Sequence, residues 1–216
     1  YEVDGMTFYI TANEGDARDS DVRVNKLTLD PTAFPNADEL QSDFNMGRIQ
    51  VSEIDGDIDN DGDYDVLQSY GARSFSIWSR WGKLVYDSGS EIEAIVATYG
   101  RENADDGRSD NKGPEPEGVE VGRIKNRTYA FIGLERTHQI LVYDITRPKA
   151  PVFMQLLQTE GDEAPEGLKF ISRAESPNHC PTLLVTNEDS NTLSIYQLND
   201  SRGKNCRKKW SKNKKR

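Results

Sequence analysis

Short runs of alternating apolar and polar residues recur along the chain and predict β-strands. Strand-like runs, some alternating and some mainly apolar, cover residues 7–11, 74–78, 140–143, 182–188 and 193–196. Alternation with a period of two, bounded by Gly, Asn, Asp and Ser clusters, is typical of half-buried strands. The pattern therefore predicts an all-β fold, with Val66-Leu67 also assigned to a strand.

One pattern of strands occurs more than once. Residues 115–119 (EPEGV) recur as 164–168 (APEGL), and each copy continues into an apolar strand ending in Glu, a polar turn and an alternating strand. A partial third copy covers residues 7–14, with residues 22–27 as its expected hairpin partner. Repeats of about 40–50 residues, each worth several short strands, are typical of β-propeller blades. Residues 1–198 are therefore predicted to form a partial propeller ring of about four blades.

Two short helices are expected as insertions between the strands. The segments 36–39 (NADE) and 90–93 (SEIE) both place a capping residue three positions before Glu. In this arrangement the two side chains satisfy free amide groups at a helix start.

A loop rich in carboxylates covers residues 57–65 (DIDNDGDYD). Ca²⁺ takes six to eight oxygen ligands, and alternate positions of a tightly wound loop can all point inward. Gly62 permits the sharp turn, while Gln68 stands where an EF-hand would carry its bidentate Glu. The pattern predicts a Ca²⁺ site with side-chain oxygens from four residues and the main-chain carbonyl of Asp63; the four are Asp57, Asp59, Asp61 and Asp65. The alternative is a solvated acidic turn.

Charge is unevenly distributed along the chain. The net charge is −10, yet residues 204–216 hold eight Lys or Arg and no acid, which leaves 19 basic against 37 acidic residues, or −18, before them. An acidic body disfavours nucleic acid and suits cations or mineral surfaces. Residues 199–216 have the composition of a disordered basic tail that binds acidic polysaccharide, or of a solvated terminus.

Several features favour an extracellular setting. The chain begins at Tyr1 without a signal peptide and is expected to be a piece of a longer protein; no apolar run is long enough to span a membrane. Asn126 and Asn199 are glycosylation sequons. Cys180 and Cys206 can form one disulfide, although two cysteines in a sequence do not establish it.

Several longer motifs give the chain a specific resemblance. From about residue 7 to residue 198 it resembles the mesenchyme-specific cell surface glycoproteins of the choice-of-anchor I group, and the motifs that carry this are residues 11–18, 71–78, 108–118, 133–136 and 141–144. The resemblance implies a secreted or surface propeller protein, associated in animals with calcified skeletons and shells. Bacterial relatives are often labelled alkaline phosphatase.

A metal-dependent phosphoesterase is the alternative function. If the repeats form a ring, equivalent carboxylates could gather at its central channel and hold a metal; these are Glu14, Glu117, Glu135, Glu166 and Glu188. Equivalence within a repeat is first a folding constraint, so each Glu is more simply expected to bond backbone amides of its own blade. His138 and His179 lack metal-ligand spacing, and no nucleophile elbow or phosphate loop occurs.

The sequence thus predicts a secreted, non-enzymatic, calcium-binding glycoprotein of a calcified shell or skeletal matrix. Its expected partners are calcium carbonate mineral, matrix proteins and acidic polysaccharide.

Overall fold

The computed structural model describes residues 1–15, 20–71, 73–99 and 113–199 of the 216. Cys206 and all of the predicted tail except Asn199 lie outside these ranges, as do parts of three of the motifs that carry the resemblance. The described chain is mostly β, which confirms the all-β prediction. Its strands are β1 Glu2–Val3, β2 Met6–Asn13, β3 Asp21–Arg23, β4 Gln50–Ser52, β5 Ser74–Ser79, β6 Leu84–Asp87, β7 Pro116–Ile124, β8 Arg127–Leu134, β9 Gln139–Asp144, β10 Val152–Leu157, β11 Pro165–Ile171, β12 Thr182–Asn187 and β13 Thr192–Gln197.

Helices are few and short. They are α1 Ala37–Leu40, α2 Glu91–Tyr99 and a 3-10 turn at Val24–Lys26. Both expected helical insertions are therefore present. The predicted capping by Asn36 is wrong, because its side chain makes no hydrogen bond to the start of α1.

The chain divides into two compact units. The first contains Tyr1–Ala12, Phe75–Asp87 and the chain from Pro116 onward; the second contains Asn13–Ser74 and Ser88–Glu115. Antiparallel sheets build the first unit, in the orders β1-β2-β5-β6, β10-β9-β8-β7 and β11-β12-β13. The fourth sheet, β3-β4, belongs to the second unit, and none of the four described sheets closes on itself.

The two copies of the sequence repeat form corresponding strands. In each copy the first strand begins at a proline, Pro116 or Pro165, follows a residue with positive φ and contains a register shift near its start. The second strand ends immediately before Glu135 or Glu188. In both copies the third strand then begins four residues after that Glu.

One hydrophobic core of the first unit lies between the β10-β9-β8-β7 and β11-β12-β13 sheets. Six buried residues form it, and Leu168 and Phe170 of β11 pack against it. Glycines let the sheets approach, since a Cβ at Gly122 would lie 2.4 Å from the Phe170 ring and one at Gly118 would lie 2.4 Å from the Glu166 carbonyl oxygen. The buried residues are Ile124, Tyr129, Phe131, Ile140, Leu183 and Val185.

Much of the second unit is loop, which is stabilised by individual backbone hydrogen bonds and a few bridges. Its fully or nearly buried apolar side chains include Val24, Leu29, Val51 and Ile92. A parallel bridge joins Leu29 to Tyr64, and an antiparallel bridge joins Val51 to Ser69. The first of these bridges fixes one end of the Asp-rich loop.

Two strand predictions are wrong. Residues 22–27 do not pair with residues 7–14: β3 pairs with β4, β2 lies between β1 and β5, and the chain enters a 3-10 turn at Val24. Val66 and Leu67 are not in a strand, because the chain here is bonded only at isolated bridges on either side, at Tyr64 and Ser69.

Candidate metal centre

Backbone contacts at its C-terminal end hold the loop at residues 57–65. The amides of Asp65 and Val66 both donate to the Gly56 carbonyl, at 2.9 and 3.2 Å. The Tyr64 hydroxyl donates to the Glu53 carbonyl at 2.6 Å. Residues with positive φ reverse the chain direction in this loop. At Gly62 (φ 102°) the backbone conformation would strain a side chain, although no atom lies within 4 Å of where its Cβ would be.

Asp57 organises the turn from its first position. One of its carboxylate oxygens accepts the Asp61 amide and the other accepts the Gly62 amide, both at 3.1 Å. Carboxylate oxygens of Asp57, Asp59 and Asp61 come within 4.8 Å of one another. The structure thus brings together three of the five predicted ligands.

The other two predicted ligands belong to a second group of carboxylates. Oxygens of Asp63 and Asp65 lie within 4.8 Å of each other and of an oxygen of Asp30. Asp65 also accepts the Ile58 amide at 2.8 Å, which ties the end of the loop to its start. The sequence predicted the main-chain carbonyl of Asp63 as a ligand, whereas it is the side chain that joins this group.

Asp30 was missed by the sequence analysis. It follows Leu29, whose bridge to Tyr64 sets it beside the end of the loop, and its amide donates to the Tyr64 carbonyl at 3.1 Å. In the sequence, the only signal at this position is Pro31, which indicates a turn. Contacts between residues more than thirty positions apart leave no local pattern.

The electrostatics of both groups disfavour a full set of negative charges. Desolvation, then repulsion from Asp61 and Asp65, raises the pKa of Asp59. Desolvation, then repulsion from Asp61 and Asp30, raises the pKa of Asp63. A nearby cation would relieve this repulsion.

The donor set fits a hard divalent cation. Every side chain in both groups is a carboxylate, and Ca²⁺ prefers oxygen ligands in flexible geometry. Thiolate or imidazole ligands, which softer metals prefer, are absent from these two groups. The residues that could hold Ca²⁺ are therefore Asp57, Asp59 and Asp61, with Asp63, Asp65 and Asp30 beside them.

The predicted channel carboxylates occupy different environments. In the first unit, Glu135 is buried and pairs with Arg136 at 2.8 Å, while Glu166 and Glu188 are exposed. Within the described residues, Glu166, Glu188 and the half-buried Glu117 belong to no group of three or more converging acidic, His or Cys side chains.

The remaining predicted carboxylate, Glu14, lies in the second unit. One of its oxygens is within 4.8 Å of an oxygen of Glu115, which is fully buried and has a positive φ of 51°. Glu115 belongs to the repeat motif of the sequence but was not among the predicted ligands.

The histidines take structural positions. Nδ1 of His138 accepts the Ala164 amide at 3.0 Å, which links the β8–β9 turn to the start of β11. The His179 amide closes a turn on the Ser176 carbonyl at 2.9 Å. Among the described residues neither imidazole joins a converging ligand group.

The predicted modification sites lie at element ends. Asn126 occupies the exposed turn between β7 and β8, and Asn199 is exposed after β13. Cys180 is buried beside Pro181, whose carbonyl accepts the Leu198 amide at 2.9 Å. Its disulfide with Cys206 stays a prediction. Helices in the described residues are too short and polar to cross a membrane.

Comparison with known proteins identifies relatives of the chain. The model of the Choice-of-anchor I domain family matches residues 1–148. Gigasin-3a of the oyster Magallana gigas is 30% identical over a 190-residue alignment that covers 74% of this chain and 66% of the relative, just under two thirds of its length. No solved structure matches the chain.

Proposed function

Because the chain belongs to the choice-of-anchor I family, we propose that it is a secreted, calcium-binding glycoprotein of a calcified extracellular matrix and that it acts without catalysis. The family match and the oyster relative are consistent with an extracellular or surface location. Association with shell or skeleton, and kinship with the mesenchyme-specific glycoproteins in particular, are part of the proposal.

The observation that carries the proposal is the convergence of Asp57, Asp59 and Asp61 in a loop whose backbone is already fixed. The loop is closed by backbone amides that donate hydrogen bonds to the carboxylates of Asp57 and Asp65. The backbone bridge at Tyr64 holds its end. A site formed before the ligand arrives loses less conformational freedom on binding. Desolvation and then repulsion raise the pKa of Asp59 and Asp63, and Ca²⁺ would reduce the repulsion.

The propeller belongs to the proposal as well. The first unit has three antiparallel sheets of three or four strands, two of them built from the same repeat. Sheets that bury a face only against neighbouring sheets are the units from which propellers are made. We infer that the three sheets are successive blades.

Glycosylation at Asn126 and Asn199 completes the proposal. Both asparagines lie outside the strands and are exposed, so an attached glycan would displace no core residue. A glycan at either position would add hydrophilic surface.

Calcium-dependent stability tests the proposal. A ligand that binds only the folded state stabilises it by mass action, so calcium at about a hundred times its dissociation constant should add about 2.7 kcal/mol to the free energy of unfolding. Differential scanning calorimetry of the whole protein, with calcium and with chelator, should show this as a higher melting temperature. The double variant Asp59→Ala/Asp61→Ala should lose the rise.

A matched control removes the same charge elsewhere. Asp38→Ala/Glu39→Ala deletes two exposed carboxylates from α1 in the same unit and should retain the rise. Equal melting curves with calcium and chelator in the unmodified protein would refute the calcium site. Release of phosphate from a generic ester with metal added would instead favour the hydrolase.

A further inference from the structure

Basic side chains collect at one end of the β10-β9-β8-β7 sheet, on a protein whose net charge is −10. The β7–β8 turn and the β9–β10 loop lie at this end, because β7 and β9 finish there and β8 and β10 begin there. Residues 121–129 and 145–151, which include these two connections, contain five basic residues and no acid. All five are exposed and form the basic patch: Arg123, Lys125, Arg127, Arg147 and Lys149.

A pocket of about 360 Å³ is lined by residues of both connections and by the start of β10. Its polar lining comes from Asn126 and Arg127 on the side of the turn and from Asp144, Thr146 and Arg147 on the side of the loop. Clefts that bind small ligands begin at about 300 Å³, so the pocket has room for one small polar unit.

Asp144 holds the two sides of the pocket in place. Only 7% of its surface is exposed; one carboxylate oxygen pairs with the Arg127 guanidinium, and the other accepts the Thr146 amide at 3.0 Å. The Thr146 hydroxyl oxygen accepts the Thr128 amide at 3.0 Å, which ties the loop to β8. The Arg127 side chain is 48% exposed and a guanidinium has five N–H donors, so donors remain for a ligand. The pocket is therefore formed before a ligand binds.

Two cations of the patch have no acidic partner. Arg147 and Lys149 form no ion pair within the part of the chain that the structure describes. Among the residues that line the pocket Asp144 is the only acid, and Arg127 neutralises it. The pocket and its rim therefore keep a net positive charge, which attracts anions over about 8 Å at physiological ionic strength.

The rest of the lining is apolar and exposed. Val152 and Met154 lie on one face of β10 and are 47% and 44% exposed, and Ala150 lies just before the strand. The pocket thus combines cationic groups, an amide and a hydroxyl with a small apolar face. A sugar ring that carries an acidic group has the matching set of an anion, hydroxyls and C–H faces.

We propose that the basic patch binds an acidic polysaccharide, with one carboxylate- or sulfate-bearing sugar unit in the pocket. Arg127 and Arg147 bind the acidic group, because a guanidinium presents paired N–H donors that match such oxyanions. The Asn126 amide and the Thr146 hydroxyl bond to ring hydroxyls. Acidic groups on neighbouring units of the polysaccharide meet the rest of the patch.

Other anionic partners fit the pocket less well. A mineral face is flat and cannot enter a concave pocket. Single-stranded nucleic acid gains much of its affinity from bases stacked on aromatic side chains, and none of the described residues that line this pocket is aromatic. A polysaccharide chain is narrow and repeats its charged ring from unit to unit.

Glycosylation at Asn126 would compete with this binding. The asparagine lines the pocket and is exposed, so a glycan attached to it would stand at the entrance. Protein made in a host that attaches no N-glycans should therefore bind the polysaccharide, and protein that carries a glycan on Asn126 should bind it more weakly. Equal binding by the two forms would contradict the placement of the sugar unit in the pocket.

Isothermal titration of the whole, unglycosylated protein tests the proposal, with a short heparin oligosaccharide as the sulfated probe and an oligogalacturonate as the carboxylated probe. Chelator is present throughout, so the result does not depend on the calcium loop. Arg147→Gln/Lys149→Gln should lower the association constant about ten-fold. The matched control Lys26→Gln/Lys83→Gln removes two exposed cations that also form no described ion pair, and it should bind as the unmodified protein does.

A second variant separates the pocket from surface charge. Ala150→Leu narrows the pocket without changing the charge and should weaken binding several-fold, with unchanged circular dichroism. Unchanged binding by Ala150→Leu would overturn the pocket as the site. Binding of neither probe, or equal losses in both charge variants, would overturn the proposal, as would unchanged binding by Arg147→Gln/Lys149→Gln, which would place the site elsewhere. Tighter binding of oligoglutamate or oligothymidylate of equal charge would assign the patch to an acidic peptide or to nucleic acid instead.

Discussion

Asp59 and Asp63 report on the charge balance of the loop, because repulsion contributes to the raised pKa of both. A carboxyl with a raised folded-state pKa stabilises the fold in its protonated form. This stabilisation is fully present below its ordinary pKa of 3.8 and is lost as pH rises through the raised pKa. At neutral pH the ionised loop therefore destabilises the calcium-free protein.

The first prediction is that calcium and protons compete at this loop. The calcium-induced rise in melting temperature should be full near pH 7 and should decline towards about pH 4, because the ligands must be ionised. Melting curves with calcium and with chelator across that range measure it. A rise that is as large at pH 4 as at pH 7 would contradict binding through these carboxylates.

The second prediction concerns Asp144, at the end of β9. Burial alone would raise its pKa, but hydrogen bonds from the Thr146 side chain and amide, together with Arg127, outweigh this and lower it. The pH dependence of stability is therefore opposite in sign to that of the loop. The stabilisation by Asp144 is fully present above pH 3.8 and is lost as pH falls through the lowered folded-state pKa. Asp144→Asn should cost about 1–3 kcal/mol at pH 7.

Urea unfolding at two pH values tests Asp144. The difference between Asp144→Asn and the unmodified protein should begin to shrink as pH falls below 3.8, and it should be smallest below the lowered folded-state pKa, where both proteins carry an uncharged group at this position. Asp189→Asn, at an exposed turn, serves as the control with little effect at either pH. A deficit of the same size at low pH would mean that packing, and not charge, explains it.

The sequence could identify the individual carboxylates of the loop but not their grouping. Alternating carboxylates around Gly62 are a local signal, so Asp57 to Asp65 could be found from spacing alone. Their division into two groups depends on Asp30, which a distant backbone bridge brings to the loop. Burial of Glu115 is equally a consequence of the fold and has no signature in its neighbours.

At the scale of elements, the apolar and polar pattern predicted strands well where the strands that pair in the sheet are near in sequence. β8, β9, β12 and β13 pair with consecutive strands, and their apolar runs match the structure. The predicted pairing of residues 22–27 with residues 7–14 was wrong. Val22 and Val24 fit a strand pattern, but the strand that pairs with β2 is β5, which comes from far along the chain. A local pattern carries no information about pairing with a strand that is distant in the sequence.

The third prediction tests how the sheets of the repeat pack. Gly122→Ala should destabilise by about 1–3 kcal/mol, because the new Cβ would lie 2.4 Å from the Phe170 ring and overpack the core. Phe170→Leu alone will also cost stability. In that background, however, Gly122→Ala should cost clearly less, and a double-mutant cycle by urea unfolding measures the difference. Additive effects would place the strain elsewhere.

At the scale of the whole molecule, the repeat was readable because each copy carries its own turn and strand signals. The sequence could therefore predict that 115–145 and 164–198 form similar strands, as they do. How the sheets pack against one another is not determined by a local pattern. It depends on contacts between sheets, and the oyster relative is longer than the part of it that this chain matches.

The last prediction follows from the charge of residues 1–203, which is −18. Dispersed carboxylates attract calcium at a mineral surface without needing one fixed geometry, and screening shortens that attraction to about 10 Å at 0.1 M ionic strength. The protein should therefore alter nucleation or crystal shape in a precipitating calcium carbonate solution, and less so as inert salt is added.

Asp59→Ala/Asp61→Ala should retain most of this effect, because it removes only two of 37 acidic residues. It should nevertheless lose the calcium-dependent rise in melting temperature, which separates the loop's role in stability from the surface's role on mineral. Removing residues 204–216 should reduce retention on acidic polysaccharide, since eight positive charges go with them, and leave calcium binding intact. Crystals identical to those grown with an unrelated protein of equal charge would reduce the mineral effect to nonspecific attraction.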